Sequence, residues 1–154
     1  MGRVDFHSQV GDKLLYSCRL IRKINSMTKE GEPLKRIIVV GAQDLLDELD
    51  ELLWSFSPDE FLPHAQISND NAYLNPTILM NTYDEVALEK LPHRDVFIYL
   101  GQETLEQIHA IVERFERVIE VVSLEENDLH AGRERYKHYR SLGFELQNYD
   151  QKGA

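Results

Sequence analysis

The sequence contains 154 residues, with 17 Lys and Arg residues against 27 Asp and Glu residues, and its formal net charge is -10. That balance argues against direct DNA binding by the whole surface, because nucleic-acid-binding domains usually present a basic footprint to the phosphates. The length and the 42% hydrophobic content predict one globular domain over residues 1–154, with a flexible tail from about residue 150 to residue 154.

The absence of certain sequence features limits the cellular compartments in which the protein is expected. Cys18 is the single cysteine, so no internal disulfide can form. The first residues, MGRVDFHSQVGDK, lack the apolar segment of a signal peptide. No apolar run approaches the roughly 20 residues that span a bilayer. We therefore expect a cytoplasmic protein.

Strand patterns and helix patterns alternate along the chain. Short runs rich in apolar and β-branched residues predict strands at 3–7, 35–41, 76–83, 95–101, 117–124 and 144–149. Apolar residues at helical spacing predict helices from 12 to about 27, from 44 to 56, from about 103 to 115 and from about 125 to 142.

The strand predicted at 35–41, KRIIVVG, indicates how the elements are arranged. Its continuous β-branched core is typical of a parallel strand that is covered on both faces. Together with the alternation of elements, it predicts an α/β fold: a single domain with a mostly parallel sheet and helices on both faces.

Motifs for catalysis or cofactor binding are not found. Gly41 and Gly101 each end a predicted strand, but neither has the further glycines or the lysine of a phosphate-binding loop. The histidines show no pair at the i, i+4 spacing of a helical metal site, and Cys18 falls on the apolar stripe of a predicted helix. We expect no intrinsic active site, no metal and no cofactor.

The segment ELLWSFSPDEFLPH, residues 51–64, concentrates large aromatic side chains beside two prolines. Trp54, Phe56 and Phe61 are candidates for a protein interface, because rigid aromatic residues supply contact area at a low entropic cost. The alternative is that they cover the domain's own core.

The segment GRERYKHYRSLGF, residues 132–144, is a basic island in an acidic chain. On a helix, Arg133, Lys137 and Arg140 fall at i, i+4 and i+7 and form one stripe, with Tyr136 beside it. Phe144 follows the predicted helix end. Basic groups flanked by aromatic walls suit a short acidic peptide with an apolar side chain, and the alternative is a solvated helix face.

Arg135 belongs to the same basic island but falls off the stripe. We expect its replacement to affect a bound peptide least and to leave the fold intact.

The two segments together, RERYKHYRSLGF and DELLWSFSPDEFLPH, closely resemble the chi subunit of bacterial DNA polymerase III holoenzyme. LYSCRLIRKI, KRIIVVG and HRDVFIYLG agree with the same frame, so the resemblance covers nearly the whole chain. It implies an α/β fold that is similar to nucleotide-binding folds but has no nucleotide site. It also implies a non-catalytic adaptor in DNA replication, since the polymerase activity belongs to the holoenzyme.

Partners and site residues follow from that resemblance. Chi subunits join the clamp-loader complex through the psi subunit, and they bind the acidic, phenylalanine-terminated tail of the single-stranded DNA-binding protein. By motif, the tail pocket would contain Arg133, Tyr136, Lys137, Arg140 and Phe144.

The psi interface would contain Trp54, Phe56 and Phe61. Leu129 departs from the family pattern, because it stands where a basic residue is found in the family, and this places more weight on the three basic residues of the stripe. DNA is expected to be contacted only through partners. The alternative from another class is a small α/β enzyme or nucleotide-binding domain of unknown substrate.

Overall fold

A sheet of seven parallel strands forms the centre of the protein. The computed structural model describes residues 2–26, 35–56, 62–66, 76–81 and 94–151. Within them the strands are β1 Arg3–Val10, β2 Ile37–Val40, β3 His64–Gln66, β4 Thr77–Met80, β5 Val96–Tyr99, β6 Arg117–Ser123 and β7 Glu145–Asp150. The helices are α1 Lys13–Ser26, α2 Gln43–Ser55, α3 Ile108–Arg114 and α4 Glu126–Ser141.

The strand order is β3-β4-β2-β5-β6-β1-β7, and all the pairings are parallel. The first strand of the chain therefore lies between two of the last. Val4 of β1 is in register with Val118 of β6 on one side and with Leu146 of β7 on the other. Because α4 connects β6 to β7, it crosses over β1.

Each face of the sheet is covered by its own apolar core. Helices α1 and α2 bury Cys18, Ile21, Leu46 and Leu49 against one face. Helices α3 and α4 cover the other face with side chains that include Ile108, Val112 and Tyr139. The predicted α/β class, with a parallel sheet and helices on both faces, is confirmed. None of the described helices has the length and apolar character that crossing a bilayer requires.

The observed boundaries differ from the sequence-based ones at several element ends, notably at β1, β3 and α3. Strand β1 continues to Val10, and β3, which is only three residues long, was not predicted. Helix α3 begins at Ile108 and not near Glu103. The reason lies in Tyr99, whose hydroxyl donates to the Glu103 carbonyl at 2.8 Å, the acceptor that a helix beginning there would use.

The last strand carries the described chain to the segment where a flexible tail was expected. Strand β7 includes Asp150, and the Gln151 N–H donates to the Ser8 carbonyl at 2.9 Å. Residues 152–154 lie outside the described residues.

Helix α4 is held on the sheet by a stripe that is mostly polar. Asp128, Gly132, Arg135 and Tyr139, spaced by four, three and four residues, are all buried. Asp128 accepts hydrogen bonds from the Ser123 N–H (2.7 Å) and hydroxyl (2.9 Å), and it forms an ion pair with Lys13 at 3.1 Å. These contacts fix the first turn of the helix over the end of β6.

Gly132 allows the middle of α4 to approach β6 closely. A Cβ atom added at this position would lie 2.7 Å from Cγ1 of Val122, which is closer than side-chain carbons pack. A glycine is therefore required here for the helix to reach its observed depth.

Arg135 forms the second polar attachment of α4. Its side chain is fully buried, and its Nε donates to the Glu120 carboxylate on β6, which is also fully buried. Its Nη1 donates to the Gln102 carbonyl at 2.8 Å, and its guanidinium lies 5.5 Å from the centroid of the Tyr99 ring. Burial raises the pKa of Glu120, and the Arg135 charge opposes that rise. One side chain thus connects α4 to β6 and to the turn after β5.

The sequence-based expectation for Arg135 was wrong about its environment. It belongs to the basic island in sequence, but it is a buried structural residue and not a surface charge. Hydropathy could not reveal this, because the buried stripe of α4 is itself polar.

We expect Arg135→Ala to lower the free energy of unfolding by about 3–5 kcal/mol, because the substitution leaves the Glu120 charge buried without its partner. Urea denaturation measures the change. The double substitution Arg135→Met with Glu120→Leu should recover most of the loss, since it removes both charges and keeps the volume. The exposed neighbour Arg133→Ala serves as the control. A single variant Arg135→Ala as stable as the wild type would contradict the prediction.

A buried histidine lies on the other face of β1. The Tyr16 hydroxyl of α1 and Nδ1 of His7 form a hydrogen bond at 2.5 Å, and the centroid of the His7 ring lies 5.4 Å from that of the Tyr149 ring. Burial lowers the pKa of His7 from 6.5 to about 4. The neutral imidazole is therefore part of the folded state at neutral pH.

This lowered pKa predicts a loss of stability in mild acid. Between pH 6.5 and about 4 the unfolded chain binds a proton at His7 and the folded chain does not, so the free energy of unfolding falls over that window by up to about 3 kcal/mol. The variant His7→Gln keeps a group that can hydrogen-bond to Tyr16 and cannot titrate. The difference between the two stability profiles measures the effect, and a His7 ring that titrates near its ordinary pKa by NMR would contradict it.

Candidate functional site

A groove runs between α4 and the sheet face that α4 covers, near the carboxyl ends of the strands. It has a volume of about 350 Å³. We call it the α4 groove. It is lined by Phe6, Ser8, Gln9, Val122, Leu129, Gly132, Arg133, Tyr136, Lys137, Arg140 and Asn148.

The base of the α4 groove is apolar. The Phe6 and Tyr136 rings meet edge to face, with 5.1 Å between their centroids. Val122 and Gly132 lie where α4 approaches β6 most closely, and Leu129 is half-buried beside them. Leu129, which the sequence marked only as a departure from a basic residue, thus adds an apolar wall. An aromatic or large aliphatic side chain suits this base.

One side of the groove is strongly cationic. Arg133, Lys137 and Arg140 are exposed along α4, and each of them lines the groove. Within the described chain, none of the groove-lining residues is acidic. The nearest acid on the helix is Glu134, 3.8 Å from Lys137, and both side chains are mostly exposed, so water weakens that pair. The stripe keeps most of its positive potential for an anionic ligand.

The opposite side of the groove is neutral and polar. Ser8 on β1 donates from its hydroxyl to Oδ1 of Asn148 on β7 at 2.7 Å, and Gln9 donates from Nε2 to Asp150 at 3.1 Å. Sequence reasoning missed these residues. No motif marks them, because they meet only through the pairing of the first strand with the last.

The structure brings four of the five residues assigned to the tail pocket into one groove: Arg133, Tyr136, Lys137 and Arg140. Phe144 does not line it. Gly143, with φ of +93°, reverses the chain after α4, and the Phe144 ring then packs 4.8 Å from the His109 ring of α3. The expected wall at Phe144 is therefore replaced by Phe6 and Leu129.

A second candidate surface lies at the end of α2. Trp54 is 51% exposed, and its ring lies 4.2 Å from the ring of His64. His64 is itself held in place, since its Nδ1 donates to the Leu62 carbonyl at 2.7 Å and its Nε2 lies 3.0 Å from Asp50 Oδ1. Trp54 is therefore an exposed aromatic side chain that packs on a buried, hydrogen-bonded histidine.

The other two residues assigned to that interface have different outcomes. Phe56 is half-buried, packs on the core beneath α1 and α2, and carries the Arg22 guanidinium 5.3 Å from its ring centroid. Trp54 and Phe56 share a helix end but have different neighbours. Phe61 lies outside the described residues.

A crevice at the carboxyl ends of the strands is where open α/β sheets commonly bind nucleotides. Here it is lined by both Gly41 and Gly101, but Lys13 is engaged by Asp128. The other charged lining residues are acidic: Asp44, Glu103 and Glu125. Such a crevice disfavours phosphate groups on electrostatic grounds.

The described residues also contain few groups that could act as metal ligands or nucleophiles. They hold no group of three or more His, Cys, Asp and Glu side chains that could bind a metal ion. Burial raises the pKa of the Cys18 thiol to about 12. Because the thiolate is the nucleophile, Cys18 is a core residue with low reactivity.

Comparisons with known proteins agree over nearly the whole chain. The profile of the family described as "DNA polymerase III chi subunit, HolC" matches residues 1–147. A Pseudomonas aeruginosa protein named DNA polymerase III subunit chi is 32% identical over 155 residues, which cover 97% of this chain and 96% of that protein. A Haemophilus influenzae protein with the same name is 31% identical over 99 residues, 64% of this chain and 63% of that protein.

The match extends through β1, both helical layers and the whole α4 groove except Asn148, so the features described above belong to the matched region. The chain is therefore a member of the DNA polymerase III chi subunit family, with a role in DNA replication as part of that holoenzyme.

Proposed function

We propose that this protein is a non-catalytic adaptor of the DNA polymerase III clamp-loader complex. It links the psi subunit to the acidic C-terminal tail of the single-stranded DNA-binding protein. The observation that carries the proposal is the α4 groove, where three exposed cations and no acid line an apolar base in a chain with net charge -10.

The composition of the groove suits a peptide that combines carboxylates with a terminal aromatic residue. Carboxylates would face Arg133, Lys137 and Arg140, and a phenylalanine side chain would pack on the apolar base formed by Phe6, Leu129 and Tyr136. Carboxylates and the aromatic ring would thus be bound by different parts of the groove, the cationic side and the apolar base. Arg133 is adjacent to Gly132 at the base, where its planar guanidinium can hold a terminal carboxylate through two parallel hydrogen bonds.

The arrangement of the two candidate surfaces supports an adaptor. Trp54 lies on α2, which covers one face of the sheet, and the α4 groove lies on the other face. A psi subunit bound at Trp54 would leave the groove accessible. Two partners could then be held at once without competition for the same surface.

The overall charge supports an indirect contact with DNA. The surface as a whole repels phosphates, whereas the α4 groove attracts an acidic tail. The protein would bind a DNA-coating protein without competing for the DNA, and it would do so in the cytoplasm, where the replisome operates.

We expect Arg133→Ala to weaken binding of an acidic peptide with C-terminal phenylalanine by about 2–5 kcal/mol, because the substitution removes one partner of a desolvated charge pair. Lys137→Ala should weaken binding less, and its main effect should be to make the peptide affinity less dependent on salt concentration. Isothermal titration calorimetry with the synthetic peptide measures both.

Arg19→Ala is the matched control for that experiment, since Arg19 is an exposed arginine on α1, which covers the opposite face of the sheet. Its peptide affinity should equal that of the wild type. Equal and small losses for Arg133→Ala, Lys137→Ala and Arg19→Ala would show a diffuse charge effect, and the tail-binding proposal would fail.

Trp54→Ala should weaken psi binding by at least about 2 kcal/mol, as truncation of an interface hot spot does, with little effect on unfolding because the side chain is half exposed. Surface plasmon resonance with immobilised psi measures the affinity. Leu124→Ala is the control, because Leu124 is equally exposed at 51% but lies after β6. Unchanged psi affinity, or a domain that unfolds, would contradict the assignment of Trp54.

A further inference from the structure

The strand side of the α4 groove contains an unusual backbone conformation. Gln9 has a φ of +56°, and it is the only non-glycine residue with positive φ in the described part of the chain. The register between β1 and β6 shifts between His7 and Val10, so Gln9 lies in an irregular segment of the strand. A residue with a Cβ atom is strained in this region, and such strain is commonly found at functional sites.

The Gln9 side chain makes one structural contact, to the end of β7, and also lines the groove. Gln9 is half-buried at the groove, and the one hydrogen bond of its side chain within the described residues runs from Nε2 to Asp150 at 3.1 Å. A glycine would adopt the same backbone conformation without strain. Because Gln9 lines the groove, the amide atom that Asp150 does not engage bears on what the groove can bind.

Its hydrogen bond to Asp150 fixes which end of the Gln9 amide is available. With Nε2 engaged, Oε1 is left as an acceptor, and no described residue donates to it. Asn148 presents the opposite group. Its Oδ1 accepts from the Ser8 hydroxyl at 2.7 Å, which leaves the Nδ2 amide as a donor without a described acceptor.

One amide acceptor and one amide donor thus line the same side of the groove, across from the cationic stripe. The main chain of an extended peptide offers the complementary pair, an N–H and a C=O in each residue. Charged side chains of a peptide would be drawn to the helix side, and its main chain would then face β1 and β7.

We propose that Gln9 and Asn148 bind the main chain of the acidic peptide. The N–H of Asn148 Nδ2 donates to a peptide carbonyl, and Gln9 Oε1 accepts from a peptide N–H, while Ser8 and Asp150 hold the two amides in orientation. The proposal rests on the function proposed for the groove and adds two positioning residues to it. These residues are neutral, so they fix the direction and depth of the peptide rather than attract it from solution.

The test measures the binding of a fluorescently labelled peptide, several aspartates followed by a C-terminal phenylalanine, to the full-length protein by anisotropy. Asn148→Ala and Gln9→Gly should each weaken binding about three- to tenfold, the effect of losing one neutral hydrogen bond. Gln147→Ala, an exposed amide that precedes Asn148 on β7 and does not line the groove, should bind as the wild type does.

Two further measurements separate positioning from a structural role. Gln9→Gly should leave the thermal unfolding midpoint unchanged or raise it, because the substitution relieves a strained φ while binding is lost. The factor by which Asn148→Ala weakens peptide binding should be the same at low and high salt. The corresponding factor for Lys137→Ala should become smaller at high salt, because salt screens the charge of Lys137.

The outcomes distinguish this inference from the function on which it rests. If Arg133→Ala abolishes binding while Asn148→Ala and Gln9→Gly bind as the wild type does, the main-chain contact is wrong and the peptide groove stands. A loss for Asn148→Ala that shrinks with salt also overturns the contact. If the wild type fails to bind the peptide, both proposals fall together.

Discussion

The buried ion pair between Arg135 and Glu120 determines where α4 lies on the sheet, and the candidate site depends on that position. Both side chains are fully buried, so each charge requires the other. The pair lies seven residues after Asp128, which holds the start of the helix through Ser123 and Lys13. With its two attachments two turns apart, α4 can neither slide along its axis nor rotate without breaking one of them.

The same helix carries both the structural residues and the candidate site residues. Its buried stripe contains Asp128, Gly132, Arg135 and Tyr139, and its exposed stripe contains Arg133, Lys137 and Arg140. The side chains of a helix leave its axis at fixed angles to one another. Because the buried stripe is held in one position on the sheet, the direction of the exposed cations is fixed as well. Rigid placement of this kind suits recognition of a flexible peptide, since the protein side has little conformational entropy to lose on binding.

Much of the fold could be predicted from local patterns, and the failures have physical causes. The run IIVV at 37–40 predicts a buried parallel strand, and the leucines at 46, 49 and 53 indicate the buried face of α2. Arg135 was misplaced because a buried arginine cannot be told from an exposed one by composition. It is recognisable only when the Glu120 that neutralises it is known to lie opposite.

The candidate site divides in the same way. Its cationic side is continuous in sequence, and helical spacing alone groups Arg133, Lys137 and Arg140. Its other side combines Phe6, Ser8 and Gln9 with Asn148, and strand order, which no local pattern specifies, brings them together. Phe144 failed as a predicted wall because the turn at Gly143 decides its direction.

The placement of β1 between β6 and β7 affects how the protein can fold during its synthesis on the ribosome. Ser8 and Asn148, which meet across one hydrogen bond, are separated by 140 positions in the chain. During synthesis the first strand emerges without either of its neighbours, and its edges stay unsatisfied until nearly all of the sequence has been translated. A nascent chain can form the α1 and α2 layer early, but the groove is completed only when the last strand arrives. The strand side of the groove, with Ser8 and Asn148, therefore exists only after both β1 and β7 have been synthesised and paired.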